Sequence, residues 1–160
     1  LWKVLSEIIL ENKDFSKDFK LKLIGKVDAS VIEEITTNNL KENVELIDYV
    51  SHNEVIEFQK KSQVLLLLLN NVPSAKGIIT GKIFEYFAAK KTILAFGPLI
   101  SDAERLIEKT NTGKYFSYDD TNLKIDILEC SHFFKEKEYF PTSFFNLFFA
   151  FNSIKSTGKL

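Results

Sequence analysis

Residues 63–70 read QVLLLLLN, and this stretch decides the fold. Every position from 64 to 69 is apolar, and polar residues stand on both sides of the run. An apolar run without alternation is typical of a strand that is buried on both faces of a parallel sheet. The run is far too short to span a bilayer. The sequence therefore predicts a central strand with helices packed on both sides of it.

The segments on either side alternate between strand-like and helix-like patterns about five times, which is typical of a doubly wound parallel α/β domain. Capping-box pairs, Ser51 with Glu54 and Ser101 with Glu104, mark two helix starts. A polar loop is expected over 11–19. Strands are predicted over 20–25, 43–50, 63–70, 91–97 and 113–118, and helices over 1–10, 28–39, 52–62, 103–110 and 119–136.

The composition suits one globular domain with a substantial core, since 45% of the 160 residues are apolar and 27% are charged. The formal net charge of −1 gives no general basic field, so nucleic acid is not an expected partner. The single cysteine, Cys130, excludes an intrachain disulfide and fits a reducing compartment. We find no signal-peptide pattern, and we expect a cytoplasmic location.

The chain contains no methionine and opens inside an amphipathic pattern, which favours a piece of a longer protein. We divide it into a Rossmann-like domain, residues 1–140, and a phenylalanine-rich segment, residues 141–160. Six of the fifteen phenylalanines lie between Phe140 and Phe151, and no cation precedes Lys155 in this segment. Interfacial helices favour a cationic face. We therefore expect the segment to pack on a further domain rather than on a membrane.

The loop and helix after the central run read SAKGIITGKIFEYFAA, residues 74–89. A P-loop needs a glycine at position 76 and Ser or Thr at position 83, but these are Lys76 and Ile83. A dinucleotide-binding G-x-G-x-x-G is also absent. Asn70 and Asn71 stand where a phospho-receiver domain would want an aspartate. The sequence therefore excludes a P-loop and a dinucleotide-binding G-x-G-x-x-G motif, and it weakens the case for a phospho-receiver domain.

The same stretch still predicts a phosphate site on physical grounds. Ligands of open α/β sheets bind beyond the carboxyl ends of the strands, and a helix that starts there offers N–H groups and a positive dipole end. Gly77 and Gly81 allow close approach of the backbone, Thr80 can cap the helix or donate to an oxygen, and Lys82 adds a charge.

The helical wheel of this segment leaves the role of Glu85 open. It places Ile83, Phe84, Phe87 and Ala88 on the core side and Glu85 opposite them, beside Lys82. One interpretation is a solvated face on which Lys82 and Glu85 form an ion pair. The other places the Glu85 carboxylate over the crevice, where it accepts hydrogen bonds from both hydroxyls of a ribose.

No metal site is expected from the sequence. Asp119 and Asp120 are adjacent and precede a predicted helix, so a turn or an N-cap is the better interpretation of this pair than a metal-binding D-x-D. His52, His132 and Cys130 have no metal-ligand spacing.

Several stretches in order, over roughly residues 1–120, resemble the C-terminal half of GT-B-fold retaining glycosyltransferases (group 1, family-four-like). The stretches are FKLKLIGKVD, the segment from NLKENVELIDYV to LLLLL, AKGIITGKIFEYFAAKKTILAFGP, and LIEKTNTGKYFSYDD. The resemblance implies half of a GT-B fold, with the donor bound in this domain and the acceptor in an N-terminal one. It also implies that an earlier strand, which usually carries a basic pair for the diphosphate, is absent here.

The resemblance carries functional residues over to particular positions. It implies that Gly77, Thr80, Gly81 and Lys82 contact the donor phosphates and that Glu85 binds the ribose. Tyr49 and Val50 match the loop that lines the base. Gly25 and Lys26 match the glycine turn after the first strand and are weaker candidates for the site. The family often has a second glutamate eight residues before the ribose one. Here that position is Gly77, which puts the contacts to the sugar in doubt.

The function implied is transfer of a sugar from a nucleotide-diphosphate sugar to an acceptor hydroxyl, in bacterial polysaccharide or glycoconjugate synthesis. No cofactor or metal is required, the acceptor is a glycan or lipid-linked molecule, and the full-length protein is compatible with peripheral association at the inner face of the membrane. Catalytic residues are unknown, apart from Lys82 as a stabiliser of the leaving group, and the isolated chain is expected to be inactive. The alternatives are an epimerase-type enzyme of the same shape and a non-catalytic nucleotide-binding module.

Overall fold

The structure is a computed structural model that describes residues 1–136, with side chains to residue 132, and the backbone of residues 145–150. Its seven α-helices within these ranges are α1 (Trp2–Glu11), α2 (Lys13–Asp18), α3 (Ala29–Thr37), α4 (His52–Lys61), α5 (Gly81–Ala89), α6 (Asp102–Thr110) and α7 (Leu123–Glu136). Its strands are β1 (Phe19–Ile24), β2 (Val44–Ile47), β3 (Val64–Leu68), β4 (Thr92–Phe96), β5 (Gly113–Phe116) and β6 (Phe145–Ala150). Lys41–Asn43 and Pro73–Gly77 form short 3-10 helices.

The strands form one parallel sheet in the order β2-β1-β6-β3-β4-β5. Because all neighbours run in the same direction, their carboxyl ends meet at one edge, which we call the carboxyl edge. β6 lies between β1 and β3, where it pairs along its whole length with β1 but only at Val64 and Leu65 of β3. The last described strand of the chain thus occupies the centre of the sheet.

Helices cover both faces of the sheet, as the apolar run of β3 predicts. Val64 and Leu66 belong to the core cluster that also contains side chains of α1, α2, α3 and α7. Leu65 and Leu67 belong to the other cluster, together with side chains of α4, α5 and α6. The alternation along one strand confirms a doubly wound α/β domain that is compatible with a Rossmann-like fold.

Most predicted elements are confirmed, and one is wrong. The capping boxes at Ser51 and Ser101 are both formed. The polar loop expected over 11–19 is instead α2, which Asn12 caps by accepting a hydrogen bond from the Phe15 N–H at 2.9 Å. Phe15 is buried and stacks on Phe19 with ring centroids 4.9 Å apart. Burial of this one apolar side chain outweighs the polar character of its neighbours.

The phenylalanine-rich segment, residues 141–160, lies mostly outside the described residues. Only the backbone of 145–150 is described there, and it forms β6. The expectation that the segment packs on a further domain therefore stays a prediction.

Gly113 of β5 provides a direct test of the sheet. A Cβ at this position would lie 1.9 Å from the backbone carbonyl oxygen of Ile93 on the neighbouring strand β4. That oxygen belongs to the paired backbone and not to a flexible side chain, so it cannot move away without disturbing the strand pairing. We expect Gly113→Ala to lower the free energy of unfolding by about 3 kcal/mol, measured by urea denaturation.

Gly77→Ala is the matched control, because a Cβ there would meet no atom within 4 Å. Its free energy of unfolding should stay within about 0.5 kcal/mol of the parent protein. Equal denaturation midpoints for the two variants would contradict the described pairing of β4 with β5.

Candidate functional site

The predicted phosphate turn lies at the carboxyl edge, directly after the buried strand β3. The chain leaves β3, passes through the 3-10 helix Pro73–Gly77 and enters α5 at Gly81, with Thr80 as the N-cap residue. α5 has nine residues, and its first turn contains no acidic side chain. Sequence reasoning placed this helix start correctly, because strand, glycines and apolar periodicity all indicated the same boundary.

The start of α5 lacks the side-chain capping seen at α4 and α6. The Thr80 side chain makes no capping hydrogen bond, and its Oγ1 is buried without a hydrogen-bond partner among the described residues. A buried hydroxyl without a partner costs about 1–3 kcal/mol. The uncapped turn combines this hydroxyl with the positive end of the helix dipole, so an acceptor oxygen would be stabilised here.

Gly77 and Gly81 leave open space beside this turn. A Cβ added at either position would meet no atom within 4 Å, and neither residue has a positive φ. Packing and backbone conformation therefore do not require glycine at these two positions. The absence of side chains leaves room for a ligand to approach the backbone.

Lys82 brings a partly desolvated amine to the first turn of α5. Burial lowers the pKa of Lys82 to about 8, and the nearby Glu85 carboxylate opposes part of this shift. Burial disfavours the charged form because the amine loses hydration. A bound anion would favour the charged form of the amine and offset part of this desolvation.

Glu85 lies one turn further along α5 and is half-buried rather than fully solvated. Its carboxylate accepts a hydrogen bond at 3.3 Å from the Nε2 of Gln59, a buried residue of α4. Through Gln59, α4 thus holds the Glu85 carboxylate in position. Glu85 also interacts electrostatically with Lys82, so the ion pair and the ribose contact both stay predictions.

The predicted core side of α5 needs correction. Phe84 is 58% exposed and Ala88 is exposed, although the wheel placed both in the core. Ile83 is buried as predicted, but the wheel did not place Tyr86 in the core, where it is buried with its hydroxyl donating to the Leu66 carbonyl oxygen at 3.1 Å. Tyrosine can lie inside when its hydroxyl finds a partner, and the carbonyl of β3 supplies one. The wheel overlooked this option because it counted only fully apolar side chains.

The remaining predicted residues lie after β1 and β2 at the same edge. Gly25 adopts φ 95°, and its N–H donates to the Ile47 carbonyl oxygen at 2.9 Å, which explains the glycine by backbone conformation. Lys26 is exposed. Tyr49 is 89% exposed, and Val50 packs against the core cluster of α4, α5 and α6. β6 stands between β1 and β3, so these residues and the start of α5 flank the central strand.

A pocket of about 310 Å³, which no sequence pattern indicated, lies beside the Pro73–Gly77 turn. Loops that follow β3, β4 and β5 form its walls. Its aliphatic lining consists of Val72, Pro73, Pro98, Leu99 and Ile100, and its polar lining includes Asn71, Lys76, Ser117 and Asp119.

One wall of this pocket has a strained backbone. Ile100 adopts φ 61°, a conformation that β-branched residues rarely take and that costs about 1–3 kcal/mol. The Glu104 carboxylate accepts hydrogen bonds from the N–H groups of Ile100 and Ser101. The Tyr115 hydroxyl donates to the Pro98 carbonyl oxygen at 3.1 Å. These bonds hold the loop in its strained shape, which local sequence patterns did not reveal.

Metal-ligand and membrane features are not found in the described residues. No group of three or more His, Cys, Asp or Glu side chains lies close enough to hold a metal ion in this part of the chain. The Asp119–Asp120 pair forms a turn, in which the Asp120 carboxylate accepts a hydrogen bond from the Asn122 N–H at 2.8 Å. Among the described helices, none combines the length and the apolar character needed to cross a bilayer.

Comparison with known proteins adds no assignment, since no family model, curated protein or solved structure gives a significant match to the chain.

The Thr80 hydroxyl, for which the described part of the chain offers no hydrogen-bond partner, can be tested by its effect on stability. We expect Thr80→Val to raise the free energy of unfolding by about 1 kcal/mol, because a methyl group of the same shape needs no hydrogen bond. Thr80→Ser, which keeps the hydroxyl, should not gain stability. A Thr80→Val variant that is less stable than the parent in urea denaturation would show that the hydroxyl has a partner within the protein.

Proposed function

We propose that this chain is the donor-binding domain of a GT-B-type glycosyltransferase, and that the start of α5 binds the diphosphate of a nucleotide sugar. The observation that carries the proposal is the buried Oγ1 of Thr80, which has no hydrogen-bond partner among the described residues and lies at a helix start without a side-chain cap. Open space at Gly77 and Gly81 and the desolvated amine of Lys82 support it. Together these groups favour a doubly charged oxyanion over a neutral ligand.

In this proposal the domain acts on the leaving group of the reaction. When the bond between the sugar and the diphosphate breaks, negative charge develops on the diphosphate oxygen. The dipole end of α5 and the Lys82 ammonium stabilise that charge, which is electrostatic catalysis by preorganised groups. The acceptor hydroxyl would be held by a second domain, and bacterial polysaccharide or glycoconjugate synthesis is the setting that the resemblance suggests.

Glu85 would orient the nucleoside in the same complex. A carboxylate can accept hydrogen bonds from two vicinal hydroxyls at once. The Gln59 amide holds one carboxylate oxygen at 3.3 Å, so the group is already oriented before a ligand arrives. Tyr49 and Val50 would line the base, and Gly25 and Lys26 remain weaker candidates on the far side of β6. An epimerase-type enzyme or a non-catalytic module would use the same nucleotide contacts.

Calorimetric titration with uridine, guanosine and adenosine diphosphates tests the site. We expect one of them to bind, and we expect Lys82→Met to weaken it about ten- to hundredfold through loss of a charge-assisted contact. Glu85→Gln should lower the affinity for the nucleoside diphosphate but leave the affinity for inorganic pyrophosphate unchanged, because pyrophosphate has no ribose.

Lys90→Met is the matched control, because Lys90 is exposed at the opposite end of α5. It removes the same charge from the same helix and should not change the affinity. If Lys82→Met and Lys90→Met weaken binding equally, the contribution is general electrostatics and the α5 site is wrong.

The pH dependence of binding follows from the pKa of Lys82. In the protein without ligand, the Lys82 amine is protonated below about pH 8, and a bound diphosphate favours the protonated form and so raises its pKa. Affinity should therefore be constant below pH 8 and fall by up to tenfold per pH unit above it. Titrations between pH 6.5 and 9.5 check this, and Lys82→Met should remove the decline. A decline that persists in Lys82→Met would assign the titration to another group.

A further inference from the structure

The pocket beside the Pro73–Gly77 turn has a lining that differs from that of the phosphate site. Its walls are mainly aliphatic side chains and proline rings from the loops after β3 and β4. Val72, Leu99 and Ile100 are all exposed, and Ile100 is 68% exposed. Apolar side chains that surround a concave site mark a place where an apolar ligand would displace water.

The shape of the pocket depends on a conformation that the chain maintains against strain. Ile100 is β-branched and has a positive φ, so a local preference does not explain its backbone. Hydrogen bonds to the Glu104 carboxylate and from the Tyr115 hydroxyl fix the loop around it. Gly97 contributes as well, because a Cβ there would lie 2.3 Å from the Tyr115 hydroxyl oxygen. Strain that the surroundings enforce is found preferentially at binding sites.

Two features indicate the chemistry of the ligand. The lining is mainly aliphatic, and the one ring on it, Tyr118, packs beside Phe96 and donates its hydroxyl to the Leu69 carbonyl oxygen. Lys76 lies on the same lining, in the turn that the pocket shares with the phosphate site, whereas Asp119 lies on the loop after β5. An alkyl chain fits the walls, and an anionic head group fits the Lys76 side.

We propose that this pocket binds the alkyl chain of a single amphiphile whose anionic head group lies at Lys76. The ligand is one molecule taken up from solution, not the surface of a bilayer. The site does not depend on the nucleotide, because its walls are built from residues outside the start of α5. Its presence would give this domain a second ligand beside the one proposed above.

Octyl phosphate, used below its micelle concentration and without nucleotide, is the probe for calorimetry. We expect saturable one-to-one binding that Ile100→Ser weakens about tenfold, the effect of losing one buried apolar side chain. Ile125→Ser is the matched control, since Ile125 is 58% exposed on α7 and does not line the pocket. Lys76→Met should weaken octyl phosphate but leave neutral octyl glucoside unaffected.

Ile100→Gly separates ligand binding from folding. Glycine adopts φ 61° without strain, so the melting temperature should stay equal or rise while octyl phosphate affinity falls as in Ile100→Ser. Absence of binding, an equal loss in Ile125→Ser, or full affinity in Ile100→Gly would overturn the proposal. Binding only to vesicles of phosphatidylcholine and phosphatidic acid would overturn it too. The diphosphate affinity of Ile100→Ser, expected to be unchanged, keeps this test independent of the nucleotide site.

Discussion

The burial of β3 on both faces is the constraint on which the rest of the structure depends. Its leucines alternate between two core clusters, so helices must cover each side of the sheet. A polar side chain anywhere from Val64 to Leu67 would face one of these cores. Since the strands are parallel, each connection returns over a face of the sheet, and every loop that leaves a strand emerges at the carboxyl edge. The candidate sites are consequences of this arrangement.

The start of α5 is less well satisfied than the starts of its neighbours. α4 and α6 begin with reciprocal capping boxes, whereas the Thr80 hydroxyl is buried without a described partner and Lys82 is partly desolvated. Both features cost stability in the free protein. Proteins tend to keep such costs where a ligand compensates for them. The same helix is firmly anchored by Tyr86 in the core, so the poorly satisfied end sits on a rigid element.

The loop after β4, which lines a pocket together with the Pro73–Gly77 turn, also has a feature that costs stability. Its strain is confined to Ile100, and the groups that enforce it belong to α6 and β5. Glu104 serves both purposes, since its carboxylate completes the capping box of α6 and also accepts the Ile100 N–H. The residue that completes the capping box of α6 thereby also holds Ile100 in the wall of the pocket. The two candidate sites are next to each other but use different residues and different physical forces.

The sequence by itself determined the alternation of elements, the central buried strand, both capping boxes and the start of α5. These features depend on local periodicity and on caps, which lie within a few residues of each other. It did not determine α2, because the burial of Phe15 depends on its contact with Phe19 and the sheet. Nor did it determine that Tyr86 rather than Phe84 is buried on α5, since a carbonyl oxygen of β3 accepts the Tyr86 hydroxyl.

Only the tertiary structure decided the central position of β6, the support of Glu85 by Gln59 and the pocket with its strained wall. Each of these joins segments that are distant along the chain, and pairing of distant segments leaves no periodic trace in either one. The start of α5 was predicted from the sequence because the glycines, the N-cap residue and the lysine lie close together between Gly77 and Lys82. The pocket was missed because its walls come from three loops that meet only when β3, β4 and β5 pair.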